Sequence, residues 1–197
     1  MAIPASPSRT ISPSTERDRV TATVVTAFAA DPPSRWVLRT PEQYLTHMPT
    51  FVRHFCGSAF DHQTSFALSD FMGAALWLPP GINPDEEGIG NLITEVMPEQ
   101  DQDNVFAFFE EMDKYHPAEP VWYLAMIGVD PSCQGGGLGS ALLSHTLEIV
   151  DSQHKPAYLE ATTTRSRDLY ARHGFETLGE IQVADSPTMY PMLRQQR

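Results

Sequence analysis

Residues 121–140 read VWYLAMIGVDPSCQGGGLGS, and this stretch decides the fold. Its first nine residues form a continuous apolar run, which is typical of a central strand covered on both faces. A glycine-rich loop follows over residues 130–137, and apolar residues then recur at helical spacing over 138–150. Pro156 opens a second apolar segment at 157–161. A strand, a glycine loop, a helix and a strand in this order predict an α/β domain.

The glycine loop is suited to binding an anion. Four glycines precede or begin the helix, so backbone N–H groups are free to converge near the positive end of its dipole. No Lys-Ser/Thr pair follows them, which excludes a Walker A loop. A Rossmann dinucleotide site with Glu160 on the ribose stays open, although its third glycine slot falls on Ser140 or Leu142. A turn without a ligand is disfavoured, because glycines cost backbone entropy.

The remaining elements are read from periodicity, capping residues and turn signals. Thr40-Pro41-Glu42-Gln43 predicts the capped start of a helix. Gly174 is placed to end a later helix in a left-handed conformation. We expect helices at 18–30, 41–55, 103–115 and 166–173, and strands at 65–68, 71–78, 175–181 and 189–194. Residues 1–17, rich in Ser, Pro and Thr, are predicted to be a flexible leader, and 18–197 a single domain.

The chain is acidic and poor in cysteine. Its 197 residues carry 13 Lys and Arg against 25 Asp and Glu, for a formal net charge of −12. This balance argues against a nucleic-acid partner and against an anionic membrane surface, and it is compatible with a cationic small molecule. Cys56 and Cys133 are too few for a disulfide framework and have no metal-site spacing. Without an apolar signal segment, a cytoplasmic location is expected.

Two motifs together resemble those of a known family. Gln134-x-x-Gly137-x-Gly139 follows the apolar strand, and Leu169-Tyr170-x-Arg172-His173-Gly174-Phe175 lies downstream. This combination resembles the GNAT superfamily of N-acetyltransferases and looks most like the branch that includes puromycin N-acetyltransferase. The likeness is strong from 120 to 194 and weaker upstream, in Ala27-Phe28-x-x-Asp31-Pro32 and Ala75-x-Trp77. It implies a central mixed, mostly antiparallel sheet, splayed at its fourth (121–129) and fifth (157–161) strands and flanked by helices.

The resemblance also implies a cosubstrate site. Acetyl-CoA would insert its pantetheine arm between the splayed strands, where the backbone of Ile127, Gly128 and Val129 would pair with its amides. The phosphates would lie on the loop and the helix start, at Gln134, Gly135, Gly136, Gly137, Leu138, Gly139 and Ser140. Gly136 stands where many relatives have Lys or Arg, and Ser166 where the family often has an Asn that holds the pantetheine. Arg165 or Arg167 could compensate by reaching the phosphates, and a solvated helix face is the alternative for both.

The family transfers the acetyl group directly to an amine, with no acyl-enzyme. By resemblance, the Val129 N–H is the expected oxyanion donor and Tyr170 the general acid. A phenol with a pKa near 10 stays protonated at neutral pH and can donate to a departing thiolate. The general base is not fixed by the sequence: Glu160 ranks ahead of His116, and ordered water is a third option. Glu160 could also pair with Arg165 or Arg167.

The leading prediction is an acetyl-CoA-dependent N-acetyltransferase that uses no metal and acts on a small amine, which the acidity favours as cationic. Monomer and homodimer both stay open. The alternatives are a catalytically silent acyl-CoA-binding or sensing module and a nicotinamide-dependent Rossmann protein. Candidates for the lining of the acceptor pocket are Trp36, Tyr44, Trp77, Phe108 and Trp122. Cys133 is read as structural.

Overall fold

The computed structural model describes residues 9–196, within which seven strands form one sheet in the order β1-β2-β3-β4-β5-β7-β6. The strands are β1 (Ile11–Pro13), β2 (Ser65–Leu68), β3 (Gly73–Leu78), β4 (Trp122–Val129), β5 (Ala157–Ala161), β6 (Glu176–Thr177) and β7 (Tyr190–Arg194). The helices are α1 (Arg17–Ala27), α2 (Pro32–Val37), α3 (Pro41–Cys56), α4 (Ser58–Asp61), α5 (Glu86–Val96), α6 (Glu99–Tyr115), α7 (Leu138–Ser152) and α8 (Thr164–Arg172).

The sheet is antiparallel except at its centre, where β4 and β5 run parallel. These two strands pair at Trp122 with Ala157 and at Tyr123 with Tyr158, and they diverge from there on. The predicted mixed sheet, splayed at its fourth and fifth strands and flanked by helices, is therefore confirmed. A Rossmann domain needs a largely parallel sheet, so the nicotinamide alternative is excluded by topology.

A β-bulge bends β4 where the gap opens. Leu76 of β3 lies opposite Met126 and Trp77 opposite Leu124, so Ala125 is an extra residue without a cross-strand partner on β3. A bulge bends its strand and increases the local twist. Here it lies one residue beyond Leu124, just after the last pairing with β5, and it turns the end of β4 away from its neighbour.

The two faces of the sheet are buried by different helices. Alternate residues of β3 point to opposite faces, as a strand requires. Leu76 packs in the core formed with α1, α3, α5 and α6, whereas Trp77 packs in the core formed with α7 and α8. Gly128 of β4 permits the close approach of α1, because a Cβ there would lie 2.5 Å from Cβ of Ala27.

Part of the predicted leader over residues 1–17 has regular structure. Residues 11–13 form β1, which pairs with β2 from Ile11 opposite Leu68 to Pro13 opposite Phe66. An ion pair between Arg9 and Asp70 (2.5 Å) extends this attachment. A three-residue strand is too short to give a periodic signal, and its pairing comes from a distant segment. Residues 1–8 of the predicted leader lie outside the described residues.

Other boundaries also differ from the predictions. Helices α2, α4 and α5 were not predicted, and α6 begins at Glu99 rather than at 103. Strand β3 begins at Gly73, because Phe71 takes a left-handed conformation (φ 59°) that belongs to the turn. The strand expected over 175–181 is reduced to β6 and one isolated bridge between Ile181 and Met189. Among the described residues, no helix is long and apolar enough to cross a membrane.

Candidate active site

The loop between β4 and α7 leaves an open, donor-rich surface. Gly135 and Gly137 have φ of 82° and 83°, and a Cβ at either would meet nothing within 4 Å. Gly137 is the N-cap of α7 and supplies no side-chain cap to that helix. The first N–H groups of a 15-residue helix are therefore available to a ligand, with the helix dipole favouring an anion.

The open edge of β4 presents backbone groups to the gap. The Asp130 N–H donates to the carbonyl of Met72 (2.9 Å), and Val129 lies opposite Gly73. In an antiparallel ladder this pattern turns the N–H and C=O of Val129 away from β3, toward β5. The Val129 carbonyl accepts a hydrogen bond from Nε2 of Gln134 (3.1 Å). The Val129 N–H thus faces the gap from which β5 has withdrawn.

The same alternation corrects the prediction for Gly128. Ile127 shares the orientation of Val129, whereas Gly128, opposite Ala74, directs its N–H and C=O toward β3. Gly128 can therefore line the gap but cannot pair through its backbone with an inserted amide. Of the three predicted residues, Ile127 and Val129 have backbone groups that face the gap.

A cavity of about 670 Å³ occupies this gap. Its wall is divided into a loop half and a helix half, according to the elements that supply the lining residues. The loop half is lined by Ile127, Gly128, Val129, Cys133, Gln134, Gly135, Gly137, Leu138, Gly139, Ser140, Thr163, Arg165, Ser166, Leu169, Tyr170 and Arg172. The helix half is lined by Phe28, Asp31, Ser34, Val37, Leu38, Met48, Phe51, Phe55, Leu92, Ile93, Val96, Phe108, Phe109, Met112, Tyr123, Glu160 and Thr162. Gly136, predicted to bind the phosphates, does not line the cavity.

Glu160 is the carboxylate of β5 in the cavity wall. It accepts a 2.8 Å hydrogen bond from the phenol of Tyr123, and not from Arg165 or Arg167 as the sequence had suggested. Burial raises the pKa of Glu160 to about 7, an effect that Tyr123 and Tyr158 partly offset by stabilising the carboxylate. A carboxyl group with a pKa near 7 suits a general base at neutral pH.

Tyr170 lies on the loop half of the same cavity. Its side chain is buried, with its ring packed edge-on against Phe175 at 6.1 Å between centroids. Burial, together with the charge of Asp31, raises the pKa of Tyr170. The phenol therefore stays protonated at neutral pH and is able to donate a proton. Tyr170 thus packs against Phe175 and also lines the cavity.

Asp31 is a second carboxylate of the cavity, and it was not predicted as a site residue from the sequence. It caps α2, accepting from the Ser34 N–H (3.1 Å) and hydroxyl (2.8 Å). Burial raises the pKa of Asp31, while Thr162 at the end of β5 stabilises its charged form. The Asp31-Pro32 pair was visible in the sequence, but as a helix signal. Only the fold brings it beside Thr162 and near Tyr170.

His116 lies outside this cavity. It lines a second cavity of about 680 Å³, whose wall also includes Glu110, Asp113 and Glu119. The His116 ring packs against Tyr123 at 5.2 Å. Tyr123 and Glu160 line both cavities, whereas His116 lines only the second. Burial lowers the pKa of His116. The structure therefore favours Glu160 over His116 as the group that can reach a substrate in the gap.

Two serines of the loop half already have partners. The Ser166 hydroxyl donates to the Thr163 carbonyl (2.9 Å) within a capping box at the start of α8, so its one proton is committed. The Ser140 hydroxyl bonds Nε2 of His173 at 2.7 Å. Burial and two neighbouring arginines lower the pKa of His173, which keeps its ring neutral and able to accept. Ser166 therefore has no spare donor for a pantetheine arm.

Two of the arginines of α8 line the cavity and the third does not. Arg165 lines the loop half, as does Arg172, which the sequence reading had not proposed. Arg167 instead places its guanidinium over the ring of Tyr190 at 4.7 Å. Of the two arginines that could compensate for Gly136, Arg165 is the one placed to do so.

Most of the aromatic residues predicted to line the acceptor pocket lie outside the cavity. Phe108 lines the helix half, but Trp77 and Trp122 pack edge-on in the core of the opposite sheet face. Tyr44 is buried in the core, and its phenol donates a hydrogen bond to the Val25 carbonyl (2.7 Å). Trp36 packs behind Phe108 at 5.5 Å. Cys56 is buried, while Cys133 lines the loop half. No group of three or more His, Cys, Asp and Glu in residues 9–196 is arranged to hold a metal ion.

The chain is similar to several acetyltransferases. Residues 87–175 match the family model for the acetyltransferase (GNAT) family. An uncharacterized N-acetyltransferase of Schizosaccharomyces pombe is 25% identical over 177 residues, 80% of this chain and 69% of that protein. A Corynebacterium glutamicum structure described as histone acetyltransferase HPA2 and related acetyltransferase shares 25% identity, with a TM-score of 0.68 over 96% of this chain and 97% of that one. Arylalkylamine N-acetyltransferase 2 from Aedes aegypti, 16% identical with a TM-score of 0.65 over 96% and 100%, shares the fold.

Proposed function

We propose that the chain is a member of the GNAT superfamily and an acetyl-CoA-dependent N-acetyltransferase. The observation that carries the proposal is the shared cavity of Glu160, Tyr170 and the unpaired edge of Val129. A base, an acid and a backbone donor around one gap are the groups that direct acyl transfer to an amine requires.

Acetyl-CoA fits the loop half of the cavity. Its phosphates would lie on the N–H groups of the loop and of α7, with Arg165 and Arg172 adding positive charge. Its pantetheine arm would pair with Ile127 and with the carbonyl of Val129 at the edge that β5 leaves open, so that the Val129 N–H is left for the thioester oxygen. This arrangement explains how a chain of net charge −12 can bind a polyanion.

The amine enters the helix half, and its nitrogen attacks the thioester carbonyl carbon. As the C–N bond forms, Glu160 accepts the proton that the nitrogen loses, and the Val129 N–H donates to the developing oxyanion. As the C–S bond breaks, Tyr170 donates its proton to the departing sulfur, which leaves as the free thiol of CoA. The proton on Glu160 returns to Tyr170 through solvent, so the enzyme ends as it began.

The test is release of free thiol from acetyl-CoA in the presence of primary amines, with the acetylated product identified by mass spectrometry. Acetyl-CoA binding by calorimetry is measured in parallel. Thiol release that depends on an amine supports the proposal. Binding without transfer to any amine would identify the silent acyl-CoA-binding module instead. A cytoplasmic location, the assignment to the puromycin N-acetyltransferase branch, and the choice between monomer and homodimer stay predictions.

A further inference from the structure

The helix half of the cavity has an almost wholly apolar wall. Away from β4 and β5 it is built from aliphatic and aromatic side chains of α3, α5 and α6. Phe51 stacks on Phe55 with 5.2 Å between ring centroids, and Phe108 meets Phe109 edge-on at 6.4 Å. Within the described residues, the charged groups of this half are Asp31 and Glu160. Both lie beside β5, since Glu160 belongs to that strand and Asp31 interacts with Thr162 directly after it.

The polar groups of the helix half already point to those two carboxylates. The Ser34 hydroxyl donates to Asp31 (2.8 Å), and Thr162 stabilises the same carboxylate. The Tyr123 phenol donates to Glu160 (2.8 Å). A ligand in this half would therefore meet negative charge at one end and apolar surface along the rest of its length. Hydrogen-bonding groups on the body of the ligand would find few partners.

Because the helix half combines two carboxylates with an otherwise apolar wall, we propose that the acceptor is a lipophilic primary amine, an aryl- or alkylamine with a single ammonium group. The inference rests on the proposed N-acetyltransferase function and names its substrate class. The carboxylates attract the ammonium head, which releases one proton to solvent to become the neutral nucleophile, and Glu160 then accepts the second proton as the C–N bond forms. The apolar body gains by leaving water for the wall formed by Phe51, Phe108 and their neighbours.

The same wall discriminates against three other kinds of amine. A polyamine would bury its second ammonium group against Phe51 and Phe108 with no countercharge, which is strongly unfavourable. An amino sugar would lose the hydration of several hydroxyls without equivalent hydrogen bonds. A lysine-containing peptide would require partners for its backbone amides. Each of these substrates should therefore react more slowly than an apolar amine of the same length.

The decisive experiment compares hexylamine with 1,6-diaminohexane, which differ only in the second amino group. Phenethylamine, glucosamine and a lysine-containing tripeptide complete the panel, and kcat/KM is measured for each with purified full-length protein. We expect hexylamine and phenethylamine to exceed the diamine, the sugar and the peptide by at least about 100-fold, as expected when a site leaves a substrate's polar group unpaired. A higher kcat/KM for the diamine, glucosamine or the peptide would overturn the inference while leaving the N-acetyltransferase function intact.

A matched pair of variants tests the wall directly. Phe51→Asp places a carboxylate on the apolar wall and should shift the ratio of the two kcat/KM values toward the diamine by at least 10-fold. Phe51→Leu keeps the wall apolar and should preserve the preference for hexylamine. If Phe51→Asp does not fold, Phe109→Asp makes the same test, and the wild-type comparison depends on neither. Acetyl-CoA binding with no acetylation of any amine would overturn the proposed function itself, and is thus distinct from a wrong acceptor class.

Discussion

The phenol of Tyr123 donates a 2.8 Å hydrogen bond to the carboxylate of Glu160 at the point where β4 and β5 separate. Tyr123 is the last residue of β4 that still pairs with β5, through Tyr158, and Glu160 lies two residues further along β5. The bond therefore holds the Glu160 carboxylate, the proposed base, at the entrance of the gap. It also keeps Glu160 partly buried, where its pKa rises to about 7.

Replacing Glu160, the proposed base, should abolish the rise of kcat/KM with pH near pH 7. In the wild type, kcat/KM should rise with pH through about 7, because Glu160 must be ionised to accept a proton. Glu160→Gln should lower kcat at pH 8 by about 100-fold, the usual contribution of a general base. Acetyl-CoA affinity should stay within about twofold, since this side chain lies outside the loop half.

The matched control is His116→Ala, which alters the second cavity and should leave the pH profile in place. If Glu160→Gln retained the wild-type profile while His116→Ala lost it, the assignment of the base would be reversed. Loss of the profile in both variants would instead point to a shared effect through Tyr123, against which the His116 ring packs.

Glu160 should also make stability depend on pH. Because its pKa is raised in the folded protein, the folded state holds a proton there that the unfolded chain releases above about 4.5. The stabilising contribution is complete below that pH and is lost as pH rises to about 7. Glu160→Gln should therefore raise the free energy of unfolding at pH 8 by up to about 3 kcal/mol and change it little at pH 5. Urea unfolding at the two pH values measures the difference, and equal effects at both would contradict it.

The sequence identified those parts of the site whose residues are close together along the chain. The glycine loop and Tyr170 belong to the segment with the strong family resemblance, where helix starts and glycine turns are local signals. The partner of Glu160 was missed because the register of β4 against β5 decides it, and Arg165 was nearer in sequence. Asp31 and the apolar wall were missed for a related reason. Helix α5 was not predicted, and a helix-capping aspartate gives no sign that it will lie near Tyr170.

Tyr170→Phe should lower turnover without weakening cosubstrate binding. The variant keeps the ring that packs against Phe175 but loses the proton donor for the leaving thiolate. We expect kcat to fall by about 100-fold, within the range for a lost general acid, with an unchanged acetyl-CoA Kd by calorimetry. Tyr190→Phe, in a ring that does not line the cavity, is the control and should be near wild type. Full turnover in Tyr170→Phe would remove the acid assignment.

The buried ion pair of Arg194 should be important for stability rather than for catalysis. Its guanidinium binds Asp151 through two bonds of 2.6 and 2.8 Å and donates from Nε to the His173 carbonyl at 3.0 Å. This joins β7 to the ends of α7 and α8. Arg194→Met should cost about 3 kcal/mol in urea unfolding, because a partly buried carboxylate loses its countercharge. Arg17→Met, which breaks an exposed pair with Asp61, should cost less than about 1 kcal/mol; equal losses would contradict this ranking.

Gly137 and Gly136 offer a matched test of the phosphate loop. Gly137 has φ 83°, which an alanine adopts only with strain, whereas Gly136 has no positive φ and a Cβ there would meet the Cys133 carbonyl at an ordinary 3.6 Å. Gly137→Ala should therefore cost about 1 kcal/mol or displace the first turn of α7. In either case the N–H groups of the loop are less well aligned, and the acetyl-CoA Kd should rise at least about 10-fold, which is a change of 1.4 kcal/mol.

Gly136→Ala is the control and should bind acetyl-CoA within about twofold of wild type. Calorimetry on the two variants decides whether binding needs the left-handed conformation of Gly137 or only a flexible loop. Equal binding by both would show that the loop tolerates a side chain at its helix start and would place the phosphates elsewhere.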